Sequence, residues 1–264
     1  NFGKTIESCV KILIQSRPIG VYPEGSKNLL ILGNGPSLNE VLTNKQYFLE
    51  NKDLMAVNKA STSDYYEQIR PKYYLLMDPL FFQKGKIMET TIQSMVDKTT
   101  WTMDLFVPIK ARKKKLWQSL IRKNKNITIR WFNSTPVEGF QSFAFSCYKK
   151  GWGMPRPRNV LIPCMMVGLH MNYSKIYLAG AENSWLKEIW VDDDNLVNMD
   201  LAHFYDKKST ERNVSPLRLH QILESMVIAF KSYHSVEKFS RSLGKEIINT
   251  TEGSFIDAFK REKI

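Results

Sequence analysis

Asn28-Leu-Leu-Ile-Leu-Gly33-Asn34-Gly35-Pro36-Ser37 decides how this chain is read. The unbroken apolar run from Leu29 to Leu32 shows no polar alternation, so it predicts a strand buried on both faces, as in a parallel sheet. A glycine loop follows, and 38–49 reads as a helix. Working outward, the same pattern recurs. Strands are predicted at 54–57, ending at Asn58, and at 73–77, ending at Asp78-Pro79. Further strands are predicted at 126–131 and at 175–179, the latter ending at Gly180 after a helix over 160–171. Strands alternating with helices imply an open α/β sheet with right-handed connections. Residues 1–16 read as an amphipathic helix with Ile6, Val10, Ile12 and Leu13 near one face. The run 183–215 breaks the rhythm with aromatics and titratable groups, as a functional insertion does. A long helix over 216–243, with Leu219, Leu223, Met226, Val227 and Phe230 as its apolar stripe, precedes a strand over 245–249 and a helix over 254–259. The expected organisation is an N-terminal helix and linker (1–27), an α/β domain opened by the glycine loop and expected to bind a nucleotide (28–182), a lid insertion (183–215) and a C-terminal helix, strand and helix completing the domain (216–264).

The composition is that of a globular chain: 264 residues, 43% hydrophobic and 24% charged, with a net charge of +12. Such a chain can build a core, and disorder is excluded as its main state. The positive balance favours acidic partners without choosing among phosphates, nucleic acid and anionic lipid. Cys9, Cys147 and Cys164 are far apart and odd in number, which disfavours a disulfide framework or zinc cluster and fits a reducing cytoplasm. No stretch approaches the roughly 18 apolar residues of a membrane span.

Chemistry is expected at the strand ends, where open α/β sheets bind ligands. The loop Gly33-Asn34-Gly35-Pro36-Ser37 lets a ligand approach the backbone, and the helix after it offers free N–H groups to a phosphate. It departs from GxGxxG, which disfavours ordinary NAD binding, and a tight turn capped by Ser37 is the competing reading. Asn34, Asn58, Asp78, Gly180 and Glu182 all follow apolar strands. His203, in the aromatic insertion, is the candidate general base, because imidazole titrates near neutral pH; a surface histidine capping a loop is the competing reading. Arg156 and Arg158, in Pro155-Arg-Pro-Arg158 just before the helix, and the Tyr205 hydroxyl can stabilise charge on a departing phosphate, or the arginines are plain loop residues. Asp192-Asp193-Asp194 invites comparison with a metal-binding DxD motif but reads as a hairpin turn. The basic stretch 110–125, with Trp117 within it, reads as a solvated face that meets anionic lipid headgroups or a charged glycolipid. Basic patches with interleaved aromatics also fit nucleic acid.

The residues Leu32-Gly-Asn-Gly-Pro-Ser-Leu38, Val57-Asn58, Asp78-Pro-Leu-Phe-Phe82 and Lys175-Ile-Tyr-Leu-Ala-Gly180 resemble the small bacterial sialyltransferases that decorate lipooligosaccharides. Glu252-Gly253-Ser254 is similar to their closing nucleotide loop. The first motif also occurs in the wider 6-hydroxymethylpterin diphosphokinase-like group, some of whose members lie among surface-polysaccharide genes. Gly180-Ala-Glu-Asn-Ser-Trp185 with His203-Phe-Tyr205 resembles those most. The resemblance spans about residues 28–260 in short islands, of which the first is distinctive.

That resemblance implies a Rossmann-like, GT-A-type domain with a lid. It implies inverting, metal-independent transfer of a nonulosonic acid from a CMP-sugar to a glycan or glycolipid, with no cofactor. It further implies donor contacts at Gly33, Asn34, Gly35, Ser37, Asn58, Asn159, Gly180, Glu252 and Ser254, and a lid histidine as base, matched by His203. Substrate or phosphate contacts are expected at Asp78, Arg156, Arg158, Glu182, Trp185 and Tyr205, and no metal ligands. Three departures bear on the sugar: Asp78 replaces the family's Asn, Asn159-Val160 replaces a Thr-Ser pair, and the lid tyrosine falls near Ser184 or Trp185. The expected protein is a cytoplasmic glycosyltransferase of bacterial surface glycans, able to sit peripherally on the inner face of the membrane, with oligomers left open and no nucleic-acid partner. The alternatives are a pterin-type diphosphokinase using ATP and Mg²⁺, and a nucleic-acid-binding module on a non-catalytic nucleotide fold.

Overall fold

The computed structural model describes residues 1–25, 28–199 and 214–264. Helix α1 (Phe2–Gln15) leads to β1 (Asn28–Leu32), α2 (Leu38–Asn44), β2 (Lys52–Val57), α3 (Tyr66–Ile69) and β3 (Tyr73–Leu75). Next come α4 (Lys86–Lys98), β4 (Met103–Pro108), α5 (Lys115–Ile121) and β5 (Ile127–Phe132). Helices α6 (Gln141–Lys149) and α7 (Leu161–His170) carry the chain to β6 (Lys175–Ala179). A hairpin of β7 (Ile189–Val191) and β8 (Val197–Met199) precedes α8 (Leu219–Ser242), β9 (Glu246–Asn249) and β10 (Lys260–Arg261).

Among the described residues, eight strands form one sheet in the order β10-β9-β6-β1-β2-β3-β4-β5, and its pairings are parallel. The fold is thus the expected open α/β sheet with helices on both faces. The apolar run of β1 explains itself here. Leu29 and Ile31 join a core with residues of α6, α7 and α8, whereas Leu30 and Leu32 point the other way, into a core with α2, α4 and α5. Both faces are covered, so a strand with period-2 geometry carries no polar side. The chain runs outward from β1 to β5, then returns to place β6 on the other side of β1. The sheet's topological switch point therefore lies between β1 and β6.

Several expectations need correction. The helix expected over 38–49 stops at Asn44, and a 3-10 turn, Gln46–Phe48, follows. Strand β4 has no counterpart in the sequence reading. Its run includes Asp104, whose carboxylate accepts from Arg130 Nε on β5 at 2.9 Å, so a cross-strand pair satisfies the charge that hid the strand. The segment 254–259 is not helical. Ile256 and Phe259 are buried at a helix-like spacing, but Arg261 Nη2 donates to the carbonyls of Ser254 and Ile256 and holds the backbone open. On α8 the stripe at Leu219, Leu223 and Val227 is exposed, and the buried face is Ile222, Ala229, Tyr233, Val236 and Phe239. On α1 likewise, Ile6, Val10 and Leu13 face outward. The docked side carries Ile12 and Ser8, whose hydroxyl donates to the Glu138 carbonyl at 2.9 Å. Trp117 is fully buried between Phe82 and Trp131, so it cannot serve the basic stretch as a stacking platform. Among the described residues no helix is long and apolar enough to cross a membrane.

Candidate functional site

A cleft of about 420 Å³ opens at the carboxyl ends of the central strands. The loops after β1 and β6, on the two sides of the switch point, form its base, and Asn58, Met77 and Asp78 come from the ends of β2 and β3. Arg158 and Asn159 come from the approach to α7, and Asn183, Ser184, Trp185 and Glu188 from the start of the insertion.

The first loop is pressed onto β6. Gly33 N–H donates to the Ala179 carbonyl at 2.8 Å and Gly35 N–H to the Gly180 carbonyl at 2.9 Å. A Cβ on Gly33 would overlap the Gly180 carbonyl oxygen, and one on Gly35 would overlap the Glu182 carboxylate. Gly180 itself sits at φ +65°, a conformation glycine adopts without strain. The glycines therefore serve close approach between two loops as much as approach of a ligand.

Glu182 changes the reading of the phosphate. Its Oε1 accepts from the Ser37 N–H at 2.6 Å, at the start of α2. A protein carboxylate thus stands where the sequence suggested a phosphate would sit, and it complements the same exposed N–H groups and helix dipole. Three atoms around it are buried with no hydrogen-bond partner: Asn34 Oδ1, Ser37 Oγ and Glu182 Oε2. Buried polar atoms are rarely left unpaired, so such a cluster marks where a ligand or water completes the set. Two of the three can only accept. A partner that satisfies those two is a hydrogen-bond donor, such as a water or a ligand hydroxyl, rather than a phosphate oxygen.

The other nominated residues divide. Asn58, at φ +52°, takes the left-handed conformation that Asn tolerates, and its carbonyl accepts from the Tyr74 hydroxyl at 2.6 Å. Asp78 Oδ1 accepts from Leu80 N–H at 2.8 Å and so caps the turn after β3. Asn159 Oδ1 accepts from Leu161 N–H at 2.8 Å, while its Nδ2 donates to Asn183 Oδ1 at 3.0 Å. The Tyr233 hydroxyl of α8 donates to the same Asn183 oxygen at 3.2 Å, which ties the cleft wall to the core. Asn183 and Ser184 entered the sequence reading only within the stretch 180–185 that carries the resemblance, and Glu188 was not singled out. The signal for Glu188 was position alone, shortly after the strand that flanks the switch point.

Ser37, Arg156, Glu252 and Ser254 do not line this cleft. Arg156 turns away and donates to Glu138 Oε2 at 3.1 Å. Burial opposes charge on Glu138, but the hydrogen bond and charge of Arg156 outweigh it and hold the carboxyl below its usual range. Ser254 is buried, donates to the Ala181 carbonyl at 2.6 Å and accepts from Asn249 Nδ2 at 2.9 Å, so it clasps the fold beneath the cleft. Glu252 is exposed beside it. His203 and Tyr205 lie outside the described residues. None of the described histidines lines the cleft: His170 packs on Tyr22, and burial lowers its pKa, while His234 pairs with Asp257 at 3.1 Å. Asp192 to Asp194 form the expected hairpin turn, with Asp192 Oδ1 accepting from the N–H groups of Asp194 and Leu196. Among the described residues no group of three His, Cys, Asp or Glu side chains is arranged to hold a metal ion.

No protein-family model and no curated protein matches the sequence. Among solved structures, the chain is similar to the MAf glycosyltransferase from Magnetospirillum magneticum AMB-1, at 10% identity and a TM-score of 0.53. The match covers 98% of this chain and 38% of that one, so this chain spans well under half of the neighbour's length. At that identity the likeness is one of fold: an open α/β architecture that a glycosyltransferase also uses.

Proposed function

We propose that this chain is a glycosyltransferase that holds a nucleotide-activated sugar in the switch-point cleft and passes the sugar to a glycan hydroxyl. The observation that carries this reading is the set of unpartnered acceptors, Asn34 Oδ1 and Glu182 Oε2, beside a glycine loop at the switch point. That chemistry suits the hydroxyls of a ribose or sugar, and the position suits a nucleotide. The fold of the MAf glycosyltransferase is consistent with it. A CMP-activated nonulosonic acid is the donor favoured by the match of Asn34 and Asn58 to the sialyltransferase pattern.

In this reading the acceptor oxygen attacks the anomeric carbon and the bond from that carbon to the phosphate oxygen breaks. Its electron pair goes to the nucleotide phosphate. Arg158, on the cleft wall, stabilises that charge, the role such cations have in leaving-group departure. The acceptor proton goes to His203, and Asp78, Glu182 and Glu188 are the carboxylates among the described residues that line the cleft. A nucleotide series followed by melting temperature tests the donor, because a ligand of the folded state at a hundred times its Kd adds about 2.7 kcal/mol. CMP and CDP should raise Tm more than UDP or NAD, with turnover unaffected by EDTA. A response confined to ATP with Mg²⁺ favours the diphosphokinase chemistry, and no response to any nucleotide overturns the proposal.

A further inference from the structure

A second cleft, of about 470 Å³, lies against the first and shares Met77 and Arg158 with it. Its floor is apolar, with Phe82, Pro108 and Pro136 from the ends of the strands farther along the sheet. Its rim is cationic: Lys110 and Lys114 come from the turn after β4, and Arg156 and Arg158 from the Pro-Arg-Pro-Arg segment opposite. Among the described residues no carboxylate lines it. Glu138 neutralises Arg156 at 3.1 Å, while Lys110, Lys114 and Arg158 make no ion pair among the described residues. Three like charges around one concavity repel each other, and an anion in the cleft relieves that repulsion. The prolines fix the arginine segment, so less of its freedom is lost when a ligand binds.

We infer that this cleft is the acceptor subsite and that the acceptor is an acidic glycan, with a carboxylate or phosphate held by Lys110 and Lys114, a sugar ring laid on the apolar floor, and Arg158 left at the shared wall for the leaving group. The inference rests on the glycosyl-transfer reading and names the substrate class that reading leaves open. Adjacency carries it: the wall that places Arg158 beside the donor also places it beside whatever fills the second cleft. An apolar floor with a few charged groups at the rim is the make-up of a small-molecule site, and its volume is in the usual range. A flat cationic surface for lipid or nucleic acid needs no such floor.

The test uses the full chain and titrates glucose, glucose 6-phosphate, glucuronate and inorganic phosphate, with binding followed by ligand-detected NMR. One charged sugar or both should bind about tenfold more tightly than glucose, the scale of a charge-assisted hydrogen bond, and more tightly than phosphate alone. Glucuronate alone identifies a carboxylate acceptor, and glucose 6-phosphate alone a phosphorylated one. The double variant Lys110→Gln/Lys114→Gln should lose most of that preference while keeping the wild-type Tm and the same response to CMP, since neither lysine lines the first cleft. Equal binding of glucose and the charged sugars overturns the inference, as does a double variant that binds like wild type. Inorganic phosphate binding as tightly as glucose 6-phosphate overturns it in favour of a simple anion site. Binding only to vesicles of anionic lipid, lost in the double variant, overturns it in favour of a membrane surface. Charged-sugar binding without any nucleotide response counts against the donor reading, whereas nucleotide binding without sugar discrimination counts against this one.

Discussion

The loop after β1 and the loop after β9 were both marked by the sequence as nucleotide contacts, and they differ in how their polar atoms are used. Residues 249–254 pair their buried polar groups with one another and with the strand end at 178–181. Asn249 Nδ2 donates to Ser254 Oγ, Asn249 Oδ1 accepts from Thr251 N–H, and the Thr251 hydroxyl accepts from Ala181 N–H. Residues 33–37 instead leave Asn34 Oδ1 and Ser37 Oγ buried without partners. A loop whose polar groups are all satisfied internally supports the fold. A loop that leaves them unpaired keeps hydrogen-bonding capacity open for a water or a ligand. Motif resemblance does not separate the two cases, but hydrogen-bond accounting does.

Substituting one glycine in each loop puts the largest strain on this contrast. Gly33→Ala drives a methyl group into the Gly180 carbonyl, where backbone cannot yield. It should cost about 3 kcal/mol, the upper range for overpacking, and abolish the response to CMP. Gly253→Ala, at φ +67° with open space around it, should cost about 1–2 kcal/mol of left-handed strain and leave nucleotide binding intact. Urea denaturation of both proteins reads the difference, and equal losses would break the comparison.

Side-chain truncations sharpen it with opposite signs. Ser254→Ala strips a partner from Asn249 Nδ2 and from Ile256 N–H, and should lower stability by about 1–3 kcal/mol with CMP affinity unchanged. Asn34→Ala removes an acceptor that has no partner in the free protein. It should leave stability unchanged or slightly raised, while CMP affinity falls by about tenfold, as expected when a hydrogen bond of the complex is lost. A stability loss at Asn34 as large as that at Ser254 would place both loops in the structural class.

The smallest effect is expected beyond both loops, at the Glu138–Arg156 pair. Glu138 has its folded-state pKa below the ordinary 4.5, so its stabilising share is present above that pH and is lost as pH falls through the folded value. Glu138→Gln should remove that acid-side dependence and cost less than about 1 kcal/mol near neutrality, because the pair is partly exposed. Freeing Arg156 should also tighten glucuronate binding in the second cleft, by about severalfold at most. Parallel pH–stability curves for the two proteins check the first outcome, and a glucuronate titration checks the second.

By itself the sequence determined the parallel sheet, its central strand and the strand ends at which polar residues gather. Those features are local. An apolar run buried on both faces, a glycine turn and a polar residue at each strand end are written in consecutive residues, and Asn34, Asn58, Asp78, Asn159, Gly180 and Glu182 do meet in one cleft. Only the tertiary structure decided what each of them does there. Glu182 reaches the start of α2 across 145 residues, Arg156 is claimed by Glu138, and Ser254 by Ala181 and Asn249. The exposed apolar stripes of α1 and α8 and the burial of Trp117 were settled in the same way, by which surface each element found to pack against. A side chain's local sequence fixes what it can donate, accept or bury, but its partner comes from a distant segment that the neighbouring residues do not encode.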